Sequence, residues 1–250
     1  MRQLLTHTSG LPDQLPENAS LRRSHASLAT FVNHAFRTPL LFPPGSKYSY
    51  SSMGILLAAE VAQRITGEPF PQFVKRRIFD PLKMTNSALG LGTFRLDDLM
   101  RCQVEDAAPE SGAGDADAKA WDWNSRYWRS LGAPWGGVHS SARDIARFME
   151  AFLKPSKALD PWLPRTMVRN HNREGLRPRG LGFGIGPVAT SPQCSAAAFG
   201  HGGSTGTLAW ADPQTDTVFV ILTTLPSGAV RPHPRQIVSD QVAALVAKKT

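Results

Sequence analysis

Cysteine is nearly missing from this chain, which has only Cys102 and Cys194 in 250 residues. So distant a pair builds neither a disulfide framework nor a Cys-x-x-Cys metal site, and it leaves the compartment unread. The seven histidines show no His-x-x-x-His or carboxylate spacing, so no metal is expected. There is no Gly-rich loop ending in Lys-Ser/Thr to cradle a phosphate. Gly180, Gly182, Gly184 and Gly186 alternate strictly, but no helix follows to receive a pyrophosphate, so they are no dinucleotide fingerprint and no cofactor is expected. Long apolar runs are lacking too: none approaches the ~20 residues that cross a bilayer. Met1 is followed by Arg2-Gln3-Leu4-Leu5 rather than by a signal peptide, so the chain as written reads as soluble and without an address.

Acid is the scarcer charge, with 20 Asp plus Glu against 28 Lys plus Arg and a net +8. Such an excess invites a nucleic-acid partner. The basic residues are dispersed, however, and the densest runs, Lys75-Arg76-Arg77 and Lys248-Lys249, fall on an amphipathic helix and at a terminus, where a solvated face is the usual reason. No nucleic-acid partner is expected. What the chain does have is apolar content, 41% of its residues, enough for one large domain or two lobes sharing a site. It shows no internal repeat.

Hydrophobic spacing gives the order of elements. Past the turn Ser9-Gly10-Leu11-Pro12-Asp13, a polar loop leads to a helix over Ala26–Phe36, with Leu28, Phe31, Val32, Ala35 and Phe36 on one face. Met53 to Ile65 is apolar around most of its circumference, which predicts a buried helix closed by Gly67, and Pro69 suits the start of another whose face is Phe70, Phe73, Val74 and Ile78. Glu105–Asp117, acidic and small, reads as a mobile surface loop. The aromatics that follow, Trp121, Trp123, Tyr127, Trp128 and Trp135, serve equally as a cleft wall or as a plug over the helices. Ser141 caps a helix whose core face is Ile145, Phe148, Met149 and Phe152, so Arg143 and Asp144 read as structural. The tail changes period: 181–187, 196–199, 207–211 and 217–224 read as strands joined by turns, and 234–248 as a closing helix. Strands so connected make an antiparallel sheet, and the alternating glycines leave one strand face bare for close approach by another backbone or by substrate. The expected class is α+β: a mostly helical part over 1–175, and an antiparallel sheet with a closing helix over 176–250, within one domain of 250 residues.

Two stretches carry candidate chemistry. Pro44-Gly45-Ser46-Lys47-Tyr48-Ser49-Tyr50-Ser51-Ser52-Met53-Gly54 delivers Tyr50 between hydroxyl residues at the mouth of the apolar helix. A phenol titrates near pH ~10, so Tyr50 is a base at neutral pH only if cations or donors stabilise its phenolate. The other stretch, Phe199-Gly200-His201-Gly202-Gly203-Ser204-Thr205-Gly206-Thr207, runs into a strand. It also contains Gly-x-Ser-x-Gly, the nucleophile elbow of α/β-hydrolases, with Asp212 or Asp216 and His233 following in triad order. An elbow needs a strand before and a helix after, whereas this segment reads as a hairpin.

Together with Leu4-Leu5-Thr6-His7-Thr8-Ser9-Gly10-Leu11-Pro12 and Gly136-Gly137-Val138-His139-Ser140-Ser141-Ala142-Arg143-Asp144, these stretches resemble the serine β-lactamase-like family over nearly the whole chain. That family includes class C β-lactamases, penicillin-binding D-alanyl-D-alanine carboxypeptidases and related esterases. The resemblance implies a β-lactamase/transpeptidase-like fold and acyl transfer on a small-molecule or peptide substrate. It assigns Tyr50 to the family's catalytic tyrosine and Ser52 to the place of an asparagine. His201 takes the place of the strand cation, able if protonated to hold the tyrosine's charge or a substrate carboxylate. Gly202 and Gly203 line the acyl group, and Ser204 gives its main-chain N–H to the oxyanion. The family's nucleophile lies in a Ser-x-x-Lys motif before the Leu-Leu-Thr-His-Thr-Ser-Gly stretch, yet no lysine here has a serine three residues before it. The chain is therefore expected to lack the nucleophile helix and first strands, and to be inactive alone. A missing upstream signal would place such a protein in the periplasm or outside the cell. The alternative is a non-catalytic relative that binds a peptide or carboxylate ligand.

Overall fold

In a computed structural model the structure describes residues 1–106, 111–154 and 156–248. Two compact units emerge, one from residues 1–77 and 87–139, the other from 78–86 and 140–250.

The first unit is mainly helical: α1 (Arg2–Leu5), α2 (Asn18–Arg23), α3 (Leu28–Arg37), α4 (Ser52–Thr66), α5 (Phe70–Val74) and α6 (Arg126–Leu131), with a two-stranded ladder of β1 (Ala88–Leu89) and β2 (Val138–His139). Its core gathers Leu11, Leu15, Leu21, Phe31, Val32, Ala35, Met53, Leu56 and Leu57. The helix expected over Met53 to Ile65 forms, capped by Ser51, whose Oγ accepts the Gly54 N–H, and ended by left-handed Gly67, but it is buried only as far as Ala59, and Ile65 is 79% exposed. Pro69 is the N-cap residue of α5, and the chain winds on as a π-helix over Lys75–Phe79.

The polar loop expected before α3 contains the helix α2. Its physical cause is long-range: Leu21 enters the core, and Arg22, 1% exposed, lies over the Trp121 and Trp128 rings at 5.2 and 4.2 Å while donating to the Trp121 carbonyl at 2.9 Å. That contact also settles the aromatic cluster. Trp121, Trp123 and Trp128 are buried, the last two with Cys102 and Ala133, so they plug the unit rather than wall a cleft. Of the acidic loop, residues 107–110 lie outside the described residues. Ser111 is buried, and Asp115 and Asp117 pair with Arg23 at 2.9 and 3.6 Å, so the described part is fastened to α2.

The second unit contains α7 (Ala142–Leu153), α8 (Trp162–Met167), a four-stranded antiparallel sheet in the order β3 (Gly184–Ile185), β4 (Phe199–Gly202), β5 (Leu208–Asp212) and β6 (Thr217–Ile221), and α9 (Pro234–Ala247). The expected antiparallel sheet is present, but β4 begins only where the expected strand over 196–199 ends, because a turn closed by the Ala198 N–H on the Ser195 carbonyl at 3.1 Å precedes it, and β3 keeps only Gly184–Ile185 of the expected 181–187. Gly200 pairs with Trp210 and Gly202 with Leu208, so the ladder continues through the glycines. A Cβ at Gly200 would lie 2.7 Å from that of Trp210, so only a bare residue lets β4 approach β5 there. The alternating glycines divide their roles: Cβ atoms at Gly180 and Gly184 would collide with Met167 and Ala189, whereas Gly182 and Gly186 adopt positive φ. Helix α7 packs against β5 and β6, and its Phe148 and Phe152 meet Phe183, which meets Phe199 edge-on at 5.3 Å. Trp210 stacks on Phe219 at 5.2 Å and donates its indole N–H to Ser239 on α9. No helix among the described residues is long and apolar enough to cross a membrane.

Candidate active site

Tyr50 owes its place to His7. The stretch around Tyr50 lies along the start of the chain: Gly45 N–H donates to the Thr8 carbonyl at 2.7 Å and Ser49 N–H to the His7 carbonyl at 3.0 Å. His7 is fully buried with φ of 58°, and its Nδ1 accepts the Ser51 N–H at 3.2 Å. An acceptor nitrogen carries no proton, so the ring is neutral with its hydrogen on Nε2. Tyr50 packs tilted on this imidazole, ring centroids 4.2 Å apart, and stays 37% exposed; Tyr48 meets the same ring edge-on at 6.1 Å. The phenol is thus mounted on a rigid, buried support and remains partly exposed.

His7→Phe keeps a ring beneath Tyr50 but strands the buried Ser51 N–H. The expected loss is about 1–3 kcal/mol, the cost of an unsatisfied buried donor. Urea unfolding measures it, and a loss under about 0.5 kcal/mol would dismiss the bond as a support.

Ser52 opens α4 and is buried. Its N–H and its Oγ both donate to Asp13 Oδ1, at 2.9 and 2.6 Å, and Gln14 Nε2 reaches Ser52 Oγ at 3.4 Å. Ser52 therefore spends its hydroxyl proton on a carboxylate, and the polar groups beside it are those of exposed Asp13 and half-buried Gln14. Sequence reasoning passed over Asp13. Its only signal is its place directly after Gly10-Leu11-Pro12.

In the second unit His201, Gly202, Gly203 and Ser204 come together at the β4–β5 hairpin. Gly203 N–H donates to the Thr207 carbonyl at 2.8 Å and Gly206 N–H to the Gly203 carbonyl at 3.0 Å, which closes a tight turn with Ser204 exposed on it. Among the described residues no acceptor takes the Ser204 N–H. Desolvation, with repulsion from Arg179, Arg177 and Arg235, pushes the His201 imidazole down to about 4. The ring is also exposed at the strand's end. An exposed ring keeps part of its hydration, but the arginines act in the same direction, so either way the ring is neutral at pH 7. Its Nδ1 lies 2.7 Å from the Gly202 carbonyl, which can only accept, so Nδ1 carries the proton and Nε2 the lone pair. His201 therefore offers an acceptor at neutral pH, rather than the charge it would supply if protonated.

The elbow reading finds no support. The Gly-x-Ser-x-Gly run is a hairpin turn between antiparallel strands, with no helix after it. Asp212 is buried and accepts from Ser195 N–H and Oγ at 2.7 and 2.6 Å, while His233 Nδ1 caps α9 through the Arg235 N–H at 3.1 Å.

The Beta-lactamase family profile matches residues 1–243. The chain belongs to the β-lactamase family. A candidate D-alanyl-D-alanine carboxypeptidase of Escherichia coli (strain K12) is 25% identical over 265 residues, covering 96% of this chain and 60% of that protein. The chain thus spans about three fifths of this relative's length. Among solved structures, a β-lactamase from Mycobacterium bovis is similar with a TM-score of 0.62 and 24% identity, covering 98% of this chain and 74% of that one. EstCE1, a hydrolase with promiscuous acyltransferase activity, is similar with a TM-score of 0.68 and 22% identity, covering 98% and 71%. At such identities the two structures speak for the fold, which is β-lactamase/transpeptidase-like.

Proposed function

We propose that this chain contributes the proton-transfer and oxyanion-binding parts of a serine acyl-transfer site that opens a β-lactam, a peptidoglycan peptide or an ester. The observation that carries the reading is Tyr50, a partly exposed phenol on a buried neutral histidine in a chain of this family. In the reaction a serine Oγ attacks the acyl carbonyl, the carbonyl electrons move onto oxygen, and the C–N or C–O bond breaks as they return. Tyr50 takes the serine's proton and passes it to the leaving group, and the Ser204 N–H binds the oxyanion. Water then attacks the acyl-serine by the reverse path. The reading needs a serine and lysine of the Ser-x-x-Lys type, which these 250 residues do not contain.

Intact-mass spectrometry with a fluorophosphonate and a β-lactam tests the assignment. The 250-residue chain is expected to take no stoichiometric adduct, while the protein carrying the Ser-x-x-Lys serine is labelled there. A full adduct on Ser204 of the chain alone would overturn the proposal in favour of an elbow nucleophile. A second reading, a non-catalytic module binding a peptide or carboxylate ligand, is favoured by the lack of any Ser-x-x-Lys in the sequence. Saturable ligand binding by the natural protein with no acylation would select it.

A further inference from the structure

The Gly203 carbonyl and the Ser204 N–H belong to one peptide. Such a unit is planar, and this one is trans, because the only cis bond among the described residues is Arg231–Pro232. In a trans peptide the two groups point in opposite directions, so whatever holds the carbonyl also aims the N–H. Two donors hold this carbonyl: Gly206 N–H at 3.0 Å, from within the turn, and Arg235 Nη1 at 2.7 Å. The same Nη1 donates to the Thr207 carbonyl at 2.8 Å, and that carbonyl already accepts the Gly203 N–H. One charged nitrogen thus bridges the two carbonyls at the neck of the turn. Arg235 is itself fixed, standing half-buried in the first turn of α9 with its N–H on His233 Nδ1, while His233 Nε2 lies 3.0 Å from the Leu225 carbonyl.

We propose that Arg235 is a positioning residue of the acyl-transfer site: by clamping the Gly203 and Thr207 carbonyls it fixes the peptide plane that aims the Ser204 N–H at the oxyanion. The catalytic part rests on the acyl-transfer reading above; the clamp does not. A glycine-flanked turn has little intrinsic stiffness, since glycine gives up more conformational freedom on ordering than any other residue. A donor that loses its aim forfeits transition-state binding while ground-state contacts elsewhere persist, so the loss falls on kcat rather than KM. The charged donor also polarises the amide, which makes the N–H opposite a stronger donor.

Two measurements separate the clamp from the reaction. In the chain labelled with 15N-serine, Ser204→Ala identifies the Ser204 amide resonance, whose nitrogen shift responds to what its own peptide carbonyl is bonded to. Arg235→Ala is expected to displace that resonance while Ser27 and Ser141 keep theirs, and Arg235→Lys to restore part of it, since an ammonium still donates to the carbonyls. In the protein carrying the Ser-x-x-Lys serine, Arg235→Ala is expected to lower kcat by about 10²-fold at little-changed KM, the scale of a misplaced catalytic group. An unmoved Ser204 resonance would overturn the clamp, and a fall in kcat alongside it would leave acyl transfer standing with Arg235 acting otherwise. A displaced resonance with unchanged kcat would reject the Ser204 N–H as oxyanion donor, and the catalytic part with it. Should Arg235→Ala unfold, Arg235→Lys carries both measurements, with a smaller displacement and a smaller kcat loss expected.

Discussion

Tyr50→Phe is expected to lower the acylation rate by about 10²–10⁴-fold, the usual contribution of a positioned proton-transfer group, while KM moves little. The substitution removes one oxygen and keeps the ring, so the packing on His7 at 4.2 Å survives and the fold is not at stake. The measurement is single-turnover acylation of a nitrophenyl ester or a chromogenic β-lactam by the protein that contains the Ser-x-x-Lys serine. His201 sharpens the expectation. With burial and the neighbouring arginines pushing its imidazole down, the ring is neutral at pH 7, so a limb of the rate above pH 7 belongs to the tyrosine or the lysine. An unchanged acylation rate in Tyr50→Phe would remove the phenol from the chemistry and leave it a packing partner of His7.

Much of this was legible in the sequence where the signal is local. The run from Met53 to Ile65 declares a helix, buried over its first half, and Gly67 its end, because apolar periodicity and a left-handed glycine act within a few residues. The order of the tail strands follows for the same reason, though β3 is shorter and β4 later than the spacing suggests. Helix α2 stayed hidden because Asn18–Arg23 has only Leu21 to offer the core; it is completed by Arg22 meeting Trp121 and Trp128, about a hundred residues away. The aromatic cluster left two roles open for the same reason, since Trp121 and Trp128 meet that arginine only in the fold. The contacts of Asp13 and Arg235 were not readable. A carboxylate that takes both donors of Ser52, and a guanidinium that reaches a turn some thirty residues earlier, are products of tertiary packing with no spacing in the sequence to announce them. His7 lies between these cases: its stretch marks the family, but its hold on Ser51 and Tyr50 needed the fold.

Gly206→Ala is expected to damage both stability and chemistry. Gly206 closes the turn that presents Ser204: its N–H donates to the Gly203 carbonyl at 3.0 Å, and its own carbonyl accepts Thr223 Oγ1 at 2.9 Å. It is buried with φ of 94°, where an L side chain is strained by roughly 1–2 kcal/mol, and a Cβ would run into the Leu225 carbonyl and Thr223 Oγ1. Leu225 can retreat little, because its carbonyl is the one beside His233 at the start of α9. Overpacking of this kind costs about 1–3 kcal/mol, so the summed loss is about 2–5 kcal/mol. For a chain of this length each kcal/mol lowers Tm by roughly 2–4 °C. The matched control is Gly228→Ala, since Gly228 has ordinary φ and open space around its missing Cβ, and it should melt like the parent. In the protein carrying the nucleophile, Gly206→Ala assayed well below its lowered Tm should still show depressed kcat, because the turn must deform to admit the methyl and the Ser204 N–H turns with it. Equal melting of the two variants would mean the turn is soft enough to absorb a side chain. A destabilised Gly206→Ala with normal kcat would separate the turn from the reaction.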